Sequence, residues 1–120
     1  MQKRLSGSVR VFYPKLNREE VVELLLQKFK ILEKKLPIIR VVLFGSYAKG
    51  NYTVGSDVDI LVIYDGEKRN DDYAIVKKTL NIPRLEPHIY TKEEYEKIKD
   101  ILEKMTKDGI LLFYKDLSFL

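Results

Sequence analysis

Residues 38–44, IIRVVLF, and residues 57–64, DVDILVIY, are apolar and β-branched almost throughout. A strand with one wet face alternates apolar and polar residues; these two do not, so each reads as a strand covered on both faces. Such a chain needs apolar cover on both sides of its sheet. The rest of the sequence supplies it. Val21, Leu25, Phe29, Leu32 and Leu36 recur at helical spacing, with Glu20, Glu23, Gln27, Lys30 and Lys34 opposite. Asn17 and Glu20 form a capping box, acids lead, lysines close, and Pro37 stops the helix. DDYAIVKKTL (71–80) places Tyr73, Val76 and Leu80 on a shorter helical face. RLEPHIY (84–90) reads as a third strand, Pro87 implying an edge or a bulge. Thr91 and Glu94 repeat the capping box. Tyr95, Ile98, Leu102 and Met105 then predict one last helix, with Gly109 as its C-terminal cap and 110–114 as a fourth strand. The order predicts an α/β (α+β) sandwich with a single mixed β-sheet. The turn GSYAKG (45–50) can add a short helix between the first two strands. SVRVFYP (8–14) reads as a short edge strand ended by Pro14, within an N-terminal extension, 1–16.

At 120 residues the expectation is one domain, 1–120. No run approaches the roughly 18 apolar residues of a membrane span, no basic-then-apolar leader opens the chain, and there is no cysteine. These point to a soluble cytoplasmic protein. The net charge of +4 arises from 22 basic and 18 acidic residues. They are interspersed, as in EEYEKIKDILEKMTK, which suits solvated helix faces better than a nucleic-acid stripe.

Chemistry concentrates between the two buried strands. Asp57 and Asp59 are two residues apart, so in a strand both carboxylates project from one face, while Val58, Ile60 and Val62 face the other. Two neighbouring anions need a cation, and oxygen donors on a rigid strand suit Mg²⁺ shared with substrate phosphates. The plainer alternative is that Ser56-Asp57 caps a turn and Asp59 meets a lysine. Gly45-Ser46, ending the preceding strand, lets backbone approach a ligand, and a helical turn opening at Ser46 would make an anion site. Alone it reads better as an ordinary tight turn that needs a small residue. Together the two halves read as a nucleoside-triphosphate site. Glu86 would share the face of Asp57 and Asp59 if 84–90 pairs beside 57–64, with His88 and Tyr90 pointing the same way; otherwise Glu86 is an exposed edge residue. His88, the one histidine of the chain, makes no zinc site without cysteines and reads as an edge-strand or nucleotide-contact residue.

Gly45, Ser46, Ala48 and Gly50, followed by Ser56, Asp57 and Asp59, resemble the minimal nucleotidyltransferases of the polymerase-β nucleotidyltransferase superfamily. Their pattern is G-S-x-A-x-G, then S-D-x-D. LEPHIYTKEEYE resembles their third-acid strand and following helix, and the likeness runs from about residue 20 to 114. Tyr47 stands where many relatives carry arginine, and Glu86 where aspartate is commoner. The resemblance implies Mg²⁺-dependent transfer of AMP from ATP, or of another NTP's nucleotidyl group, to a hydroxyl. Asp57, Asp59 and Glu86 would be the catalytic and metal-binding acids; Gly45, Ser46 and Ser56 would be the nucleotide-binding residues. It further implies a partner, as in toxin–antitoxin pairs with a helical HEPN-type protein, or a homodimer completing the pocket. The other reading is an antitoxin-type module that neutralises its partner by contact without catalysis.

Overall fold

The computed structural model describes residues 16–116. The expected strand at 8–14 lies outside the described residues. The elements in order are α1 (Arg18–Lys35), β1 (Ile38–Phe44), α2 (Ser46–Lys49), β2 (Val58–Tyr64), α3 (Asp72–Leu80), β3 (Leu85–Thr91), α4 (Lys92–Lys97), α5 (Lys99–Met105) and β4 (Ile110–Tyr114). They build one four-stranded sheet in the order β3-β2-β1-β4. β1 runs antiparallel to β2 and β4, and β2 runs parallel to β3. The mixed sheet matches the expectation from sequence, and Pro87 does sit on an edge strand, where its missing N–H costs no ladder bond.

The pleat explains why β1 and β2 are apolar almost throughout. Val41, Leu43, Val58, Ile60 and Val62 face one side, buried under Val21, Leu25, Phe29 and Leu32 of α1 and Val76 and Leu80 of α3. Val42, Phe44, Leu61 and Ile63 face the other, under Tyr95 of α4 and Leu102 of α5. Each fully buried aliphatic side chain contributes about 1.5–3 kcal/mol. The capping box of α1 forms as read: Asn17 Oδ1 accepts from Glu20 N–H at 2.8 Å, and Glu20 Oε1 from Asn17 N–H at 2.9 Å. Among the described residues, no helix is long and apolar enough to cross a membrane.

Three local expectations are corrected. On α3, Tyr73 is exposed and Asp72 turns inward instead. Its carboxylate is satisfied there, accepting from Tyr64 Oη–H at 2.9 Å and pairing with Lys68 Nζ at 3.0 Å. Tyr64 Oη also accepts Arg69 N–H at 2.8 Å, and burial pushes its phenol pKa up, so it stays a neutral donor. Tyr64→Phe leaves a buried carboxylate and a backbone N–H each short of a partner; an expected loss of about 1–3 kcal/mol can be read from the denaturant midpoint. The last helix is broken at Ile98, whose φ of −124° and ψ of 29° lie off the helical values. Met105, expected on the buried face, is 38% exposed.

Gly109 is not the helix cap; that place belongs to Thr106. Its glycine identity has a packing cause, because a Cβ there would stand 2.7 Å from Val42 Cγ1 and 2.8 Å from the Leu43 carbonyl oxygen. Backbone cannot step aside as a side-chain tip can. Gly109→Ala is therefore expected to cost about 1–3 kcal/mol by prising β4 from β1, measured by thermal melting against wild type.

Candidate functional site

The site lies at one end of the sheet, where β1 finishes and β2 and β3 begin. Antiparallel pairing sets Phe44 opposite Asp59, and parallel pairing sets Asp59 beside Glu86. Gly45 follows Phe44 with φ 77° and ψ −155°, a region open essentially to glycine alone. That conformation bends the chain directly from β1 into α2. No side chain caps the first turn of α2, and Gly50 closes it in the left-handed region at φ 85°. Tyr47 fastens this turn from beneath. It is buried, stacks on Tyr52 at 4.2 Å between ring centroids, and donates its hydroxyl to the Leu16 carbonyl at 3.0 Å. Burial pushes its phenol pKa up and keeps it a donor. Position 47 thus anchors the bend from inside.

The decisive contact joins the two halves of the motif. A Cβ on Gly45 would fall 2.6 Å from Asp59 Oδ2, so the bend and the acid touch only because residue 45 has no side chain. Asp59 is 27% exposed and its Oδ1 stands 3.3 Å from His88 Nε2. His88 in turn packs its ring on Phe44 at 5.1 Å. The lysine partner weighed for Asp59 is a histidine. The pointer to it was the period-two placement of His88 with Glu86, which needed the β2–β3 register before it named a contact.

Asp57 lies one residue before β2 and is 54% exposed, with Oδ1 3.1 Å from Arg84 Nη2. Ser56 works in its own turn, where its Oγ accepts Thr53 N–H at 2.8 Å. Glu86 shares the sheet face of Asp59 by register. Its Oε1, however, accepts a hydrogen bond of 2.9 Å from Tyr73 Oη–H, and that bond raises the Tyr73 pKa. The three acids therefore lie at one end of the sheet, but each is turned to a separate donor. Among the described residues no group of three or more His, Cys, Asp and Glu is placed to hold a metal ion. The expected convergence of three carboxylates is not the arrangement here, since like charges spread onto Arg84, His88 and Tyr73. What does fit a hard cation is the smaller set, Asp57 and Asp59. Both are solvent-accessible oxygen donors at the start of β2, and Asp59 lies against the bend that Gly45 keeps open, which suits an ion shared with substrate phosphates.

The family profile described as Nucleotidyltransferase domain matches residues 25–111, from the middle of α1 to β4. The chain belongs to the nucleotidyltransferase domain family. Curated relatives of this nucleotidyltransferase come from Methanocaldococcus jannaschii. Putative protein adenylyltransferase MJ1379 is 46% identical over 46 residues, which is 38% of this chain and 46% of the relative. Putative protein adenylyltransferase MJ0141 is 47% identical over 49 residues, 37% of this chain and 46% of the relative. The matches thus span less than half the length of these curated relatives. Among solved structures, a putative nucleotidyltransferase from Sulfolobus solfataricus has a TM-score of 0.55 at 20% identity, over 86% of this chain and 88% of that one. A mutant of the toxin–antitoxin MntA-HpeT gives 0.52 at 17%, over 84% and 76%. A toxin–antitoxin crystallised with AMP-PNP gives 0.54 at 19%, over 76% and 74%. At such identities the structures establish the shared nucleotidyltransferase fold.

Proposed function

We propose that this nucleotidyltransferase moves AMP from ATP to a hydroxyl on a partner protein. The observation that carries the reading is the Gly45–Asp59 contact, which puts an open backbone bend and a partly exposed carboxylate in one place. Gly45 admits the triphosphate to the backbone, and the Ser46 hydroxyl with the first N–H groups of α2 binds its outer phosphates. Ser56 keeps the turn that presents Asp57. Asp57 and Asp59 would hold Mg²⁺, and Glu86 is the candidate third ligand once it leaves Tyr73. An ion held there would supply charge neutralisation for the triphosphate. The protein's share is positioning: it holds the α-phosphate in line with the attacking hydroxyl.

The choice of AMP and of a protein acceptor is supported by the relatives named as protein adenylyltransferases. The toxin–antitoxin structures of the same fold favour a separate partner, for which a helical HEPN-type protein is the candidate; a homodimer is the other way to complete an acceptor pocket. A second reading, a binding module without catalysis, is favoured by one observation: Asp57, Asp59 and Glu86 are each already paired within the chain. One experiment separates them. The protein is incubated with Mg²⁺, ATP and a candidate small helical partner protein, and the partner is weighed by intact mass spectrometry. Gain of one AMP, absent with Asp59→Asn, supports transfer. A tight complex with no mass gain, indifferent to that substitution, supports the binder.

A further inference from the structure

The proposed function gives Asp57 a cation to hold, and the chain already places one there. Arg84 Nη2 lies 3.1 Å from Asp57 Oδ1. Among the described residues it is the one Lys or Arg in ion-pair range of Asp57, Asp59 or Glu86. The same guanidinium is tethered independently of Asp57. Its Nε–H donates to the Ser56 carbonyl at 3.1 Å and Nη2 to the Gly55 carbonyl at 2.8 Å.

Its backbone is placed with equal care. Arg84 has φ 61°, the left-handed region that a non-glycine residue leaves unless its surroundings hold it. The holding contact is its own carbonyl, which accepts Val58 N–H at 2.9 Å where the β2–β3 pairing opens with Val58 opposite Leu85. Arg84 is thus locked at the sheet end while its side chain crosses to the 53–57 turn. Both partners of the ion pair are about half exposed, 53% for Arg84 and 54% for Asp57, so the pair can open without stranding a buried charge.

We propose that Arg84 is a resident counter-cation of the candidate site, competing with a divalent ion for Asp57. Its tether to the Gly55 and Ser56 carbonyls keeps the displaced guanidinium at hand, where an incoming triphosphate becomes its next anion. Arginine stays charged at every working pH, and its fork suits phosphate as it suits carboxylate. Arg84 acts through Asp57 and is a positioning residue. The inference rests on the metal role proposed for Asp57.

The test is Mn²⁺ alone, titrated into the nucleotide-free chain with free Mn²⁺ followed by electron paramagnetic resonance. Arg84→Gln keeps an N–H donor for the turn carbonyls but removes the charge. It is expected to bind Mn²⁺ about three- to fivefold tighter than wild type, the yield of losing a half-exposed ion pair. Arg84→Lys should stay near wild type, and Asp57→Asn should abolish the gain. ATP offered without a divalent ion should bind the Gln variant more weakly. Unchanged or weaker Mn²⁺ binding by a folded Arg84→Gln reduces Arg84 to a fastening of the turn and overturns the inference, as does no Mn²⁺ binding by either protein at millimolar supply. AMP transfer by the wild type in the same preparation leaves the proposed function standing in both cases. Should Arg84→Gln not fold, wild-type protein still decides. Saturating Mg²⁺ must shift the Arg84 guanidinium resonances in the nitrogen-15 spectrum, and unmoved resonances rule the exchange out.

Discussion

Asp59→Asn is expected to lower adenylyl transfer by about 10²–10³-fold or more, the scale of removing one electrostatic group aimed at the reacting centre. The melting temperature should move by only a few degrees, because asparagine keeps the volume and can still bond His88 across the 3.3 Å gap. The change removes one negative charge from a carboxylate that touches the Gly45 bend and leaves the sheet pairing of Phe44 with Asp59 untouched. Glu86→Gln should cost less, since Glu86 first has to leave Tyr73. AMP incorporated into the partner, counted by intact mass over time, gives both rates. A wild-type rate from Asp59→Asn would place the chemistry elsewhere; losses of equal size from both substitutions would show the three acids acting as one set, coming together only on the loaded enzyme.

Features set by local chemistry were legible before the structure. The capping boxes at Asn17 and Thr91 formed because each needs only a side chain and an N–H three residues away. The buried strands followed from nearly continuous apolar runs, and Pro87, which implies an edge or a bulge, does lie on the edge strand β3. What escaped depends on register between distant segments. The Asp59 contacts with Gly45 and His88 exist only once β1, β2 and β3 are aligned, and no spacing along the chain encodes that alignment. Gly109 departs from the expected helix cap for the same reason: its neighbours Val42 and Leu43 lie across a strand pairing, whereas a helix cap is purely local. Asp72 shows tertiary context overriding periodicity, as a carboxylate occupies the inward place because Tyr64 and Lys68 meet it there. Arg84 is the first residue of the strand expected at 84–90, and the structure sets it just before β3. Its role comes from one left-handed backbone angle and three partners in another segment.

Gly45→Ala should show that the bend and the acid form one unit. Two penalties coincide at this position. The backbone sits at φ 77°, ψ −155°, and the new methyl would lie 2.6 Å from Asp59 Oδ2. Together they predict a loss of about 3 kcal/mol and a fall in melting temperature of about 10 °C. Gly66 provides the internal control. It also has a positive φ, 97°, but a Cβ there meets nothing within 4 Å, so Gly66→Ala carries strain alone, about 1–2 kcal/mol. The difference between the two substitutions combines the collision with Asp59 and the more restricted backbone region of Gly45. A double-mutant cycle isolates it further: Gly45→Ala made in an Asp59→Ala background should cost about 1 kcal/mol less than in wild type, because the clashing oxygen is gone. ATP binding should fall with Gly45→Ala and not with Gly66→Ala, since the methyl also closes the backbone approach to the phosphates. Equal penalties in both backgrounds would mean that Gly45 is conserving only its own backbone angle. A folded Gly45→Ala that still bound ATP at full strength would remove the bend from the nucleotide site altogether.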